Sequence, residues 1–417
     1  MTPRLNPLAL AIMALYACNT DAAETGAGET HGPTFSVSSF GTVGMVHSSE
    51  KNADFTSSIY KPNGAGHTHD WSANVDSLVG AQVTARFNPQ LSAVVQVISE
   101  QRYDNSYRPS LEWANFKYQV TPDFSLRIGR TVQPAFLFSD SRKVGYTLPW
   151  VRPPGEVYSM IPVTSADGMD LSYRLHWGDV TNTVQGNVGQ STVKMPNDTG
   201  ETRARDSWGI SNLTEYGALT TRVTFQQTHL TYEPFNPLFD DFRQFGEQGN
   251  DIADRYDPKD KRYDFIGLGA IYDPGDWFIM GEWGHLRSHA VFGEMSAWYV
   301  SGGYRINAFT PYVTYARSKT LSETSTDGLD ASSLPPELAG PAGELNGALN
   351  GILGSGSRQQ TWSLGVRWDF APNMDAKLQY DHTRLGNNTT GPLTNFQADF
   401  EPGGSFSLIS LAVDFVF

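Results

Sequence analysis

Cysteine is nearly absent from this chain, and so are long apolar runs beyond its first residues. Among 417 residues the only cysteine is Cys18, so no disulfide can form within the chain. Past the N-terminus no apolar stretch approaches the roughly 18 residues a membrane helix needs. Any membrane crossing must therefore use a closed barrel, the other structure that pairs every backbone group. Charged residues make up 18%, and the basic ones are the minority: 30 Lys and Arg against 44 Asp and Glu, a formal net charge of −14. With no basic excess to neutralise phosphates, nucleic acid is excluded as a partner. The sequence also lacks a Gly-x-Ser-x-Gly elbow, a His-Glu-x-x-His pair, a phosphate-binding loop and a dinucleotide-binding glycine motif. Its carboxylates are too scattered to form an acid/base pair, so neither an enzyme nor a cofactor is implied. Glycine (40 residues) and aromatics (12%) are plentiful, which suits a large all-β barrel running to this length as one unit.

The N-terminus reads as a secretory signal. Arg4 supplies the positive end, residues 8–17 the apolar stretch, and Asp21-Ala22-Ala23 a small-residue cleavage site. Residues 1–23 are therefore a signal peptide and 24–417 the barrel. A second reading attaches to Leu15-Tyr16-Ala17-Cys18, which resembles a lipoprotein processing site at which the cysteine is lipidated, with Tyr16 an unusual occupant.

From Phe35 onward the chain alternates in polarity over short segments separated by turn residues, the pattern of transmembrane strands. In residues 361–370, Trp362, Leu364, Val366, Trp368 and Phe370 share one face, and Ser363, Gly365, Arg367 and Asp369 the other. Residues 169–177 and 374–381 repeat it. A soluble β-sandwich also alternates. Here, however, the polar face carries both signs of charge, as a watery lumen does, and aromatics gather near strand ends, as interfacial girdles do.

Connections alternate in length. Tight turns fall at residues 88–90, 121–123, 178–179, 215–217, 273–276, 307–308 and 371–373. Longer excursions fall at 52–70, 105–109, 134–167, 195–206, 235–261, 291–294, 324–356 and 387–404. Seven turns and eight outer loops imply about sixteen antiparallel strands with both ends on one side. The last segment, residues 405–417, puts Ile409, Leu411, Val413, Phe415 and Phe417 on one face and ends on phenylalanine.

That terminal strand resembles the signal that outer-membrane barrels present to the barrel-assembly machinery. Glu112-Trp113-Ala114-Asn115-Phe116-Lys117, followed by Leu126-Arg127-Ile128-Gly129-Arg130, is similar to the strand, turn and strand that precede the third loop in Gram-negative porins. The resemblance extends over nearly the whole mature chain. It implies a sixteen-stranded barrel in the Gram-negative outer membrane, with short periplasmic turns and long external loops. It also implies a third loop, residues 134–167, folded into the pore, and a homotrimer in contact with outer-membrane lipid and lipopolysaccharide. The run 146–154 lacks the acidic loop motif of the enterobacterial members.

A diffusion channel selects by size and charge, so its relevant residues are those lining the lumen. Strand parity turns Gln82, Arg86, Lys117, Arg127, Arg174, Arg222, Arg367 and Lys377 inward, with Asp170, Asp369, Asp375, Asp381 and Asp414. The third loop adds Asp140, Arg142, Lys143, Arg152, Glu156 and Asp167. Opposed charges here either set a transverse field for small polar solutes and ions or tie the loop to the wall, and the excess of strand cations points toward anions. The alternatives are a closed adhesin or structural barrel and an outer-membrane hydrolase using His176, His229 or His285. Residues 251–260 read as a solvated external loop, with calcium binding as the sharper alternative. His67-Thr68-His69 lacks a third ligand for zinc, and residues 334–356 suit a short helix in an outer loop.

Overall fold

The computed structural model describes residues 32–417; the signal segment and Cys18 lie outside the described residues. Sixteen long strands form one closed antiparallel barrel. In chain order they are β1 (Thr34–Ser48), β2 (Leu78–Arg86), β3 (Leu91–Glu100), β4 (Ser110–Thr121), β5 (Phe124–Val132) and β6 (Ser165–Trp177). Next come β7 (Val180–Lys194), β8 (Glu201–Tyr216), β9 (Leu219–Tyr232), β10 (Lys261–Tyr272) and β11 (Trp277–Ser288). The last five are β12 (Glu294–Tyr304), β13 (Phe309–Thr320), β14 (Arg358–Ala371), β15 (Met374–Leu385) and β16 (Ser405–Val416).

Closure comes from β1, which pairs with β2 from Thr34↔Arg86 to Thr42↔Leu78 and with β16 from Phe40↔Val416 to Ser48↔Leu408. Ser39 and Phe417 exchange both backbone hydrogen bonds, at 2.7 and 2.8 Å, so no strand edge is left open near the chain end. All seven tight turns lie where the sequence puts them. Gly178 and Gly217 take positive φ there, as do Asn307 and Asn373, the residue types that two-residue hairpins favour.

Each strand faces two solvents. Apolar residues such as Ile128, Leu171, Ile210, Leu268 and Leu364 are exposed on the outside, where lipid covers them. The expectation that the inner face is uniformly polar fails on β10 to β13. Phe265, Phe278, Met280, Tyr299 and Tyr312 point inward and are buried, because the third connection packs on them.

Of the outer connections, residues 233–260 carry α2 (Asn236–Arg243) and α3 (Gly246–Tyr256), and residues 321–357 carry α4 (Pro336–Gly354). These helices share an apolar core of Phe239, Phe242, Ala253, Leu349 and Leu353. Residues 251–256 are thus helical rather than loop, and Arg243 Nη2 donates to Asp257 at 2.7 Å. The helix in 334–356 runs to 19 residues, longer than the short one expected. Among the described residues no group of three or more metal-ligating side chains is assembled.

Candidate functional site

The third connection, residues 133–164, turns into the barrel and lies along the inside of β10 to β16. It carries a 3-10 turn at Gly145–Thr147 and one α-helical turn, α1 (Gly155–Tyr158). Its sequence alternates apolar anchors with backbone-exposing residues, and both find partners. Ala135, Phe136, Phe138, Leu148, Trp150, Val157, Tyr158 and Met160 join the inward apolar residues of β10 to β13 in one buried cluster. At about 2 kcal/mol for each large apolar side chain buried, this packing is enough to hold the segment against the wall.

Polar anchors fix its register. Glu282 on β11 accepts from the Tyr158 hydroxyl at 2.6 Å, the Tyr299 hydroxyl at 2.9 Å and the Leu137 amide at 2.8 Å. Trp150 Nε1 donates to Ser301 at 3.0 Å and Thr314 at 2.9 Å. Arg367 donates to the carbonyls of Tyr146 at 2.6 Å and Leu148 at 3.2 Å. Lys377 donates to the Gly145 carbonyl at 2.7 Å and to Asp414 at 2.8 Å, while Thr42 also donates to Asp414.

Gly145 sits so close to this group that an added Cβ would lie 2.0 Å from Asp414 Oδ1 and 2.6 Å from Thr42 Oγ1. Gly145→Ala should therefore push the segment off the wall, giving noisier single-channel currents than the parent. Identical current traces would show that the close approach has no consequence.

The charges named from sequence fall into two groups. Arg142, Lys143, Arg152, Glu156, Arg222 and Arg367 are engaged in anchoring. Arg142 caps the carbonyls of Tyr158 and Ile161 at 2.9 and 3.0 Å, and Lys143 donates to Glu100 at 2.5 Å. Arg152 binds both carboxylate oxygens of Asp76 at 2.9 and 2.6 Å and reaches Asp381 at 3.3 Å. Glu156 is buried and accepts from Gln359 at 2.9 Å and from Thr361. Arg222 is buried 4.0 Å from Asp140. Asp167 does not join them; it sits at the mouth of β6 in a two-point pair with Arg130, at 2.7 and 2.6 Å.

Across the lumen stands the second group. Arg86 on β2, Lys117 on β4, Arg127 on β5 and Arg174 on β6 cluster there, with Asp170 beside Arg127 and Glu215 of β8 near Arg174. Register puts Lys117 opposite Arg127 and Arg127 opposite Asp170, with the Arg127–Asp170 contact at 2.9 Å. Lys117 feels Arg127, Arg174 and Arg86 as like charges, and Arg86 and Arg174 are exposed to solvent.

Above the third connection lies a cavity of about 1520 Å³ that opens among the outer loops. The first connection reaches into it, a role the sequence does not signal. Burial pulls the Lys61 ammonium below the ordinary lysine range, opposed by Glu100 4.0 Å away. Glu282, Tyr299 and Asp76 are further anchors that sequence reasoning misses. Parity turns Glu282 inward, but nothing in one strand names its partners.

Residues 9–388 match the family model described as Gram-negative porin. The chain is a Gram-negative porin. It forms a channel for passive diffusion across the outer membrane and is not an enzyme. Among solved structures, the porin is similar to the trimer form of OmpT from Vibrio cholerae (10% identity, TM-score 0.52, covering 93% of this chain and 100% of that one). It is likewise similar to the anion-selective porin from Comamonas acidovorans (11%, 0.52, 92% and 100%) and to Salmonella typhi OmpF in complex with daunomycin (12%, 0.52, 94% and 99%). No curated relative matches the sequence. The porin's sixteen-stranded barrel is thus the family's architecture.

Proposed function

We propose that this porin is a trimeric channel preferring small anions, its selectivity set by Arg86, Lys117, Arg127 and Arg174. The observation that carries this reading is the imbalance on the wall of β2 to β6. Lys117 lies there among Arg86, Arg127 and Arg174 as like charges, whereas the cations of the third connection are held in ion pairs and carbonyl caps. Like charges in a narrow lumen raise the local concentration of counter-ions. The test is the reversal potential in a potassium chloride gradient: anion preference makes the dilute side negative, and a positive dilute side contradicts it.

Two halves of the outer surface differ in a way that supports self-association. β8 to β15 carry an upper row of Trp208, Trp283, Trp298, Tyr315, Trp362 and Tyr380, the mark of a lipid interface. On β2 to β4 the corresponding face has Ala81, Ala85, Ala93 and Ala114 among aliphatic residues. β2, β3 and β5 span only 9, 10 and 9 residues, against 15, 16 and 14 in β7, β8 and β9. A low face without the upper aromatic row, its Phe116 and Tyr118 lying toward the tight turns, suits close packing against two further copies.

Above the aromatic row, the outer face exposes Arg205, Arg262, Arg287, Arg317, Lys319, Arg358 and Arg384, of which Arg262 pairs with Asp264 at 2.9 Å and Arg287 lies 3.8 Å from Glu294. Lys319 lies directly opposite Arg358, and Arg205 and Arg262 both flank His229. Like charges at facing positions are destabilising unless an anion lies between them. Phosphorylated lipopolysaccharide headgroups supply that anion at this height. Changing Arg262, Arg317, Arg358 and Arg384 together to Ser should strip most of the lipopolysaccharide that co-purifies with the protein; equal retention would contradict the assignment. Residues 1–23 would direct export, and Phe417, exposed at the end of β16, would present the closing strand for assembly.

A further inference from the structure

The outer half of the lumen is aromatic on one side. Tyr232 and Phe235 lie 4.9 Å apart by ring centroid, Tyr232 and Phe292 5.2 Å, and Tyr263 and Phe292 6.3 Å. Phe235 and Phe292 stack at 5.7 Å with 26° between their planes. All four line the 1520 Å³ cavity, and Leu230 and Leu286 extend the surface beside them. Phe292 remains 37% exposed, so packing of the loops does not absorb it. Apolar surface left facing water costs about 25 cal/mol per Å², and hydrated ions gain nothing from it. An apolar patch kept exposed in a concave site is the mark of an apolar ligand.

The side facing it is charged. Lys143 and Arg152 come from the third connection and Lys61 from the first, each in ion contact with Glu100, Asp76 or Asp381. Farther in stands the cationic wall of β2 to β6. A solute passing between these surfaces meets rings on one flank, ion pairs on the other, and the cationic wall farther in.

We infer that this vestibule binds small organic anions with an aromatic body, such as arenecarboxylates, before they cross the constriction. The ring lies against Phe235 and Phe292, and the carboxylate points toward the cationic wall below. The inference deepens the anion-channel reading and rests on it.

The test is single-channel current through the full-length channel in a planar bilayer in potassium chloride, with millimolar sodium benzoate or sodium acetate added on the loop side. Benzoate should produce brief current interruptions lasting roughly tenfold longer than any seen with acetate, the gain expected from ring contacts worth about 1.4 kcal/mol. Phe235→Ser with Phe292→Ser should bring the benzoate record close to the acetate record. Phe292→Leu, which keeps the apolar bulk, should fall between, and it serves if the double variant does not yield a heat-modifiable barrel. Benzoate and acetate records that coincide in the parent channel, or benzoate interruptions that persist in the serine variant, overturn the inference. The reversal potential of the same channels in chloride alone reads the anion preference separately. An anion-preferring channel indifferent to benzoate therefore fails this inference only, and a cation-preferring one fails the reading beneath it.

Discussion

Replacing Lys377 by methionine should lower the stability of the folded barrel by about 3–5 kcal/mol, the usual cost of removing one partner from a buried ion pair. Lys377 and Asp375 are completely buried, and Asp414 is nearly so. The lysine Nζ is 2.8 Å from Asp414, 3.5 Å from Asp375 and 2.7 Å from the carbonyl of Gly145. Methionine keeps an apolar stem without the ammonium and, among the described residues, leaves the two carboxylates with Arg367, 3.1 Å from Asp375, and the Thr42 hydroxyl. The third connection also loses the donor that holds Gly145. The heat-modifiable band should convert at a clearly lower temperature or urea concentration, and single-channel currents should become noisy. Adding Asp414→Asn to Lys377→Met removes one of the uncompensated charges and should restore part of the loss, so that the two changes are non-additive. Equal stability of parent and Lys377→Met would mean that the buried cluster does not hold the loop.

Changing Lys117 and Arg174 together to glutamate should invert the sign of ion selectivity. Both stand on the wall facing the third connection, where Arg86 and Arg127 complete the cationic set and Asp170 already binds Arg127. A unit charge about 6 Å from a passing ion, at an effective dielectric of about 60, contributes roughly 1 kcal/mol. Two reversals change about four such charge units before screening by salt. A shift in the anion-to-cation permeability ratio of roughly tenfold or more follows. The reversal potential in a potassium chloride gradient should change sign while the barrel stays folded, since neither side chain anchors the loop. A potential that does not move would place the selecting charges elsewhere.

Much of the barrel is legible in the amino-acid sequence. Glycine and asparagine at 178, 217, 307 and 373 mark hairpins because few other residues adopt the positive φ that these turns require. Alternation in 361–370 and 405–417 sorts each strand into a lipid face and a lumen face, because the side-chain period along a strand is two. Parity does not reveal which inward residues meet. Asp76 and Arg152 are separated by 75 intervening positions, and Glu282 and Tyr158 by more. Their pairing depends on strand tilt and on the path of two loops through the lumen. The same limit hides the role of the inward Phe265, Phe278 and Tyr299, which are out of place on a watery face unless the third connection covers them, as it does. The aromatic vestibule is equally hidden. Phe235 and Phe292, far apart in sequence, come together from two different connections.

A channel that stays open beside an anchored third loop conducts, which single-channel recording of the unboiled protein in a planar lipid bilayer reads. Stable ohmic steps are expected, grouped in threes if the trimer inserts as a unit. A folded, heat-modifiable barrel that produced no conductance would contradict the open channel.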